Sequence, residues 1–134
     1  MNLQRLRVCD EVDSRLRILK ARTGLTPNLL CRLGFCLSLN DPMPPDPAQY
    51  PEDSPREINR YTLTGQWDGL FVALLKERSS RDGFGDQDLE DQFRAHVNRG
   101  VLLLYRQVRE LSDLVRLIPQ TSAMAQATQL TNAK

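Results

Sequence analysis

The sequence predicts a mainly α-helical protein. Its N-terminal unit reads as strand, helix and helix in the manner of a ribbon-helix-helix module, followed by a short strand and two further helices, the last one long. Three observations predict this. An alternating run, two apolar helical stripes and a glycine turn follow one another without interruption over about the first 36 residues. Six of the eight prolines then gather between positions 42 and 55 and separate this unit from the remainder. Finally Phe93, Val97, Val101, Leu104, Val108, Leu111 and Val115 recur at three- or four-residue intervals, the spacing of one helix face.

Each element follows from local chemistry. In Leu3 to Val8, Leu6 and Val8 share one face and Arg5 and Arg7 the other, as in a strand buried on one side. A helix starts at Asp10 or Glu11, because acids favour a first helical turn. Val12, Leu16 and Leu19 make its buried stripe with Ala21 nearby, and Asp13 and Arg17 form an i,i+4 pair. Gly24 suits the position after the helix, since glycine takes positive φ cheaply. Thr26 as N-cap and Pro27 as first residue open a second helix. Leu29, Leu30, Leu33, Phe35, Cys36 and Leu37 leave that helix apolar over most of its circumference, the pattern of a helix buried partly by another subunit. Gly34 would let a neighbouring helix approach closely.

Pro42, Pro44, Pro45, Pro47, Pro51 and Pro55 permit no helix. They predict an extended, acidic, surface-running connection, with the Pro-rich acidic loop spanning 41–57. Ile58 to Thr64 is β-prone and expected to pair with the N-terminal strand or with a partner chain. Residues 66–78 read as a helix with Trp67, Leu70, Phe71, Leu74 and Leu75 on its apolar side. Ser79 to Gly85 reads as a loop, Asp86 as an N-cap, and 86–117 as the final helix. Gly100 interrupts that helix at about 1 kcal/mol relative to alanine, which predicts a kink or a close contact. Pro119 ends it. The domain organisation is thus one domain over 1–118 and a disordered tail over 119–134, rich in Thr, Gln, Ala and Asn.

With 134 residues, 18 basic and 17 acidic side chains and a formal net charge of +1, the chain is not polybasic as a whole. The charge is uneven. Residues 1–40 hold seven basic side chains against three acidic ones, a net +4, whereas 41–60 is net −3. An anionic partner is therefore expected at the N-terminal third. No apolar run approaches the roughly 20 residues of a membrane helix. The lack of an N-terminal apolar stretch predicts no signal peptide. Three cysteines, an odd number, predict reduced thiols and a cytoplasmic location. Cys31 and Cys36 read as small core residues on a helix, and no cofactor is expected.

Nothing in the sequence nominates an active site. Gly83-Phe84-Gly85 is too short for a dinucleotide fingerprint and follows no strand. His96, the single histidine, lies mid-helix beside Arg99 and reads as a hydrogen-bonded structural residue. Asp86, Asp88, Glu90 and Asp91 crowd a helix N-terminus, where the helix dipole accounts for them without a metal. The chain is therefore expected not to be an enzyme. The basic N-terminal unit is the functional lead, because a two-stranded ribbon can enter a DNA major groove and helix N-termini such as Thr26–Asn28 accept phosphates.

The run Leu19-Lys20-Ala21-Arg22-Thr23-Gly24-Leu25-Thr26-Pro27-Asn28-Leu29-Leu30-Cys31-Arg32, continuing to Cys36-Leu37-Ser38-Leu39, resembles the DndE family of DNA sulfur-modification proteins. Phe93-Arg94-Ala95-His96-Val97-Asn98-Arg99-Gly100 is similar to the same family at a consistent distance. The resemblance spans about residues 3–117. It implies a small, non-catalytic component of the bacterial phosphorothioation machinery, which replaces a non-bridging DNA phosphate oxygen with sulfur. It further implies a homotetramer that binds double-stranded DNA with preference for nicked duplex, alongside sulfurtransferase and ATPase partners. Lys20, Arg22 and Arg32 fall within the matching motif and Arg17 lies just before it, whereas Arg5 and Arg7 are candidates from strand geometry alone. Only three lysines occur in the chain, so the expected DNA contacts rely on arginine, which engages phosphate bidentately. The alternative is an assembly adaptor that bridges the sulfurtransferase and ATPase with little DNA binding of its own, using the acidic loop as a docking strip. A ribbon-helix-helix transcriptional regulator fits less well, because the long C-terminal helix matches the sulfur-modification family.

Overall fold

A computed structural model describes residues 1–117. Strand β1 (Arg5–Arg7) leads into helix α1 (Asp10–Thr23), and a tight turn joins α1 to α2 (Pro27–Leu39). After the proline-rich loop come β2 (Glu57–Asn59), the short helix α3 (Arg60–Thr64), α4 (Asp68–Arg81) and α5 (Leu89–Gln107). The molecule is mainly helical, and its N-terminus is the expected strand-helix-helix unit.

The first three elements form where the residues place them. Gly24 takes φ 76° and returns its N–H to Lys20 O at 2.8 Å, closing α1. Thr26 Oγ1 accepts from Leu29 N at 3.3 Å, with Pro27 at the first helical position of α2. β1 pairs antiparallel with β2, Leu6 opposite Ile58, so the strand finds its partner within the chain. The rest of the β-prone segment departs from expectation, because 60–64 is helical. Asn59 Oδ1 accepts from Tyr61 N and Thr62 N, and an N-cap there starts a helix where β-propensity alone would continue the strand. Arg60 then fixes the bend, donating to both Asp68 carboxylate oxygens at 2.8 and 2.9 Å and to Leu3 O at 2.9 Å.

Helices α2 and α5 form the centre and pack most extensively against each other. They cross at Gly34 and Gly100. A Cβ placed on Gly34 would lie 2.8 Å from Gly100 C and Val101 N. The close approach foreseen at both glycines is therefore one contact, glycine on glycine. Around it Phe35 stacks at 5.3 and 5.4 Å on Phe71 and Phe93, and Leu16, Leu19, Leu30, Val97 and Leu104 complete the buried core.

Several expectations need correction. The helix expected over 66–78 begins at Asp68, after a 3-10 turn at Gly65–Trp67, and continues to Arg81. Of its apolar side only Phe71 and Leu75 are buried, while Trp67 and Leu70 are half exposed. Ala21 is exposed. Cys36 is exposed too, whereas Cys31 is buried, so only one of the pair is a core residue. Leu29 and Leu33 reach solvent beside Cys36, a stripe of α2 that its own chain leaves uncovered. The final helix is shorter than its periodicity. It starts at Leu89 after a 3-10 turn at Asp86–Asp88, and it stops at Gln107. Asp113 explains the early end, because its carboxylate accepts from Arg109 N and Glu110 N at 2.8 and 3.1 Å and seeds a separate 3-10 segment, Leu111–Leu117. Leu111 and Val115 are consequently exposed. The tail expected over 119–134 lies outside the described residues.

The proline-rich loop is fastened down. Arg78 and Arg99 donate to Met43 O, Arg94 to Tyr50 O, and Ser54 Oγ donates to Val8 O at 2.7 Å. Its acids are engaged internally as well. Asp41 faces Arg99, Glu52 faces Arg94, Glu57 faces Arg5, Asp46 caps its own turn, and Asp53 accepts the first N–H of α1 at 2.7 Å.

Candidate nucleic-acid interface

Helix periodicity sorts the basic residues of α1. At 100° per residue, Arg15 and Arg22 stand on one side of the buried stripe Val12, Leu16, Leu19 and Thr23. Arg17 and Lys20 stand on the other, with Asp13. The two sides differ electrostatically. Asp13 is buried and receives both Arg17 and Arg56, so much of the positive charge on that side is offset. These guanidiniums hold the Asp13 carboxyl below its ordinary range, against the burial that acts to raise it. Among the described residues no carboxylate comes within ion-pair distance of Arg15, Lys20 or Arg22.

Arg15 and Arg22 are organised by an aromatic ring. α5 runs beside α1 and ends near it, presenting Tyr105. The Arg15 guanidinium carbon lies 4.3 Å from the ring centroid and that of Arg22 lies 5.3 Å from it. Arg15 Nη1 also donates to Tyr105 Oη at 3.4 Å. Both arginine distances are within cation–π range. Next along α5, Arg106 and Gln107 join Asp113, Arg116 and Leu117 around an open depression of about 370 Å³.

The other candidates lie apart from this edge. Arg5 is exposed on β1 with Glu57 at 3.8 Å. Arg7 is half-buried and donates to Ser54 O at 2.9 Å. Arg32 donates through Nε to Leu63 O at 2.8 Å and ties α2 to α3. The structure thus divides Arg5, Arg7, Arg17, Lys20, Arg22 and Arg32 among β1, two sides of α1, and the α2–α3 junction. Sequence reasoning missed Arg15 and Tyr105. The i,i+7 spacing of Arg15 and Arg22 was a readable signal, since it puts both on one helix face. The arrival of Tyr105 from 83 residues further on in the chain had none.

The most enzyme-like arrangement is Ser38 with His96, whose Nδ1 is 2.8 Å from Ser38 Oγ. Arg99 Nε donates to the same hydroxyl at 2.8 Å, so Ser38 Oγ bridges the imidazole and the guanidinium. Both side chains are fully buried, closing them to any substrate. Burial, with the Arg99 and Arg78 guanidiniums nearby, pushes the His96 pKa down to about 3. The imidazole is therefore a neutral structural group at ordinary pH. Asp88 and Glu90 accept backbone N–H groups of Gly85 and Asn2, and Asp91 faces Arg94. No metal-holding cluster of three His, Cys, Asp or Glu side chains exists among the described residues. None of the described helices is long and apolar enough to cross a membrane.

Residues 5–112 match the family model described as DNA sulphur modification protein DndE. Nothing among curated proteins matches. The fold is similar to the crystal structure of DndE from Escherichia coli B7A, involved in DNA phosphorothioation modification. The two chains are 24% identical, with 78% of this chain and 98% of that one covered at a TM-score of 0.65. A glycine-to-lysine mutant of DndE involved in DNA phosphorothioation is 22% identical over the same shares, at a TM-score of 0.60. These likenesses are of fold.

Proposed function

The chain belongs to the DndE family, and from that premise we propose that it acts in DNA phosphorothioation as a non-catalytic DNA-binding subunit. It binds duplex DNA in the cytoplasm as a homotetramer, favours a nick, and works beside the sulfurtransferase and ATPase of the machinery. The observation that carries this reading is the uncompensated charge along α1, where Arg15, Lys20 and Arg22 have no carboxylate within ion-pair distance among the described residues. Arg5 and Arg17 add exposed guanidiniums, and Arg7 and Arg32 keep further N–H donors beyond the carbonyls they already bind. A tetramer repeats this surface four times. A nick is favoured because an interrupted duplex bends at lower deformation energy. A noncatalytic role accords with the burial of His96 and Ser38.

Fluorescence anisotropy with one duplex, intact and nicked, across a salt series tests the reading. Binding should fall steeply with salt and favour the nick. It should be lost in the charge reversal of Arg17, Lys20 and Arg22, with oligomeric state verified. Negligible wild-type binding at 50 mM salt refutes it.

A second reading, the assembly adaptor, is favoured by a different observation. Trp67, Leu70 and Leu74 leave an exposed apolar row along α4 and the turn before it. Retention of the sulfurtransferase or ATPase by wild type, and its loss in Trp67→Ala with Leu70→Ala, would favour the adaptor if DNA binding is absent.

A further inference from the structure

We propose that Arg15 and Arg22 form one seat for DNA phosphate, and that Tyr105 is its positioning residue rather than a DNA contact. The inference rests on the DNA-binding reading and specifies its site. Both guanidiniums sit on a single ring. The two positive charges are therefore closer than about one Debye length, ~10 Å at 0.1 M salt, and repel each other. No carboxylate within ion-pair distance offsets them among the described residues. The electron-rich face of the ring partly does so. A phosphodiester brought to this edge is attracted by both arginines at once and removes the repulsion between them.

Tyr105 supplies the order. An exposed arginine ordinarily explores many rotamers, and fixing it on binding opposes affinity. The ring contact, with the bond from Arg15 Nη1 to Tyr105 Oη, restricts both side chains before DNA arrives. Tyr105 itself is half-buried between α1 and α5, and its ring is engaged by guanidiniums. It is therefore poorly placed to stack on a base. The ring shapes the arginines, and the arginines meet the backbone, so this seat confers no base preference.

The experiment is the same anisotropy titration on the full chain, with Tyr105→Phe, Tyr105→Leu, the Arg15→Gln/Arg22→Gln double variant, and Tyr105→Leu placed in that double variant. Thermal unfolding and light scattering confirm that each retains fold and oligomeric state. Tyr105→Phe should bind within about 2-fold of wild type, because the ring remains. Tyr105→Leu should weaken binding roughly 3- to 10-fold. The double arginine variant should lower the slope of log K against log salt by about 1 per arginine. In that background Tyr105→Leu should have no further effect, a coupling that a merely structural tyrosine would not show. If the arginine variant binds as wild type does, the seat is wrong while DNA binding stands. If Tyr105→Leu weakens binding equally in both backgrounds, or not at all, the positioning role is wrong. If wild type binds neither duplex at 50 mM salt, the DNA-binding reading falls and takes this inference with it.

Discussion

Gly100→Ala should be the most damaging single-methyl change in this protein. A Cβ at Gly100 would stand 2.8 Å from Gly34 Cα and closer still to the Gly34 carbonyl carbon and oxygen. The Gly34 carbonyl carbon would stand far inside the about 3.5–4.0 Å at which carbon atoms rest, so α2 would have to retreat by about 1.5 Å along its main contact with α5. The atoms met are backbone and cannot rotate away. Overpacking typically costs about 1–3 kcal/mol, occasionally more. Here it acts on the central helix pair, against a gain of only about 1 kcal/mol from alanine's helix propensity. Because the atoms met are backbone, the cost lies above that range, about 4 kcal/mol, and the net loss is roughly 3 kcal/mol, or about 10 °C in Tm. Gly69 is the control. It lies in α4 and a Cβ there meets nothing within 4 Å, so Gly69→Ala should leave stability unchanged or raise it by up to about 1 kcal/mol. Thermal and urea unfolding followed by circular dichroism, at one protein concentration, compares the three chains. Gly100→Ala as stable as wild type would falsify the reading of the crossing.

Three further outcomes are expected. Unfolded His96 takes a proton below its ordinary 6.5, whereas folded His96 stays neutral down to about 3. Its stabilising contribution is therefore complete above pH 6.5 and lost progressively as pH falls toward 3; the urea midpoint should drop between pH 7 and 4.5, and a native imidazole that titrates near 6 by NMR would contradict this. Asp13→Asn should destabilise by about 1–2 kcal/mol, since it leaves Arg56 and Arg17 without their shared buried carboxylate but able to reach water; unchanged urea unfolding would show that the pairing contributes nothing. Leu29→Glu with Leu33→Glu should dissociate the proposed homotetramer, lowering its mass by light scattering while the protomer stays folded, because these side chains make the exposed stripe of α2; a tetramer mass that persists would refute this stripe as its contact.

Local chemistry was legible where one residue decides the outcome. Gly24, Thr26 and Pro27 fix the α1–α2 turn by conformational preferences that need no tertiary partner. The reading failed where a capping side chain overrode a longer pattern. Asn59 turned a β-prone run into α3, and Asp113 cut the final helix short although its apolar period ran on to Val115. Periodicity shows which residues could share a face. It does not show whether anything covers that face, hence the exposed Leu29, Leu33, Cys36 and Leu70. At the site, the basic bias of the first 40 residues is visible in the sequence, and helical spacing divides it across the buried stripe of α1. The aromatic ring that organises one half lies on α5, beyond the reach of local reasoning.

The distribution of arginines explains how a chain of net charge +1 can present a locally positive edge. Many of its arginines serve the fold. Arg60, Arg78, Arg94 and Arg99 are largely buried and bind backbone carbonyls or carboxylates, and Arg7, Arg32 and Arg56 do so in part. The acids they face are thereby neutralised in place, including Asp41 and Glu52 of the proline-rich loop. Charges paired this way cancel at a distance. What a phosphate backbone meets is the remainder: Arg15 and Arg22 on the Tyr105 side of α1, Lys20 on its other side, and Arg106 near the end of α5, none with a carboxylate within ion-pair distance among the described residues. Arg15, Lys20, Arg22 and Arg106 should each add to the salt dependence of binding, beside the exposed Arg17. Removing any one of the buried arginines Arg60, Arg78, Arg94 or Arg99 should change stability more than the slope of binding against salt.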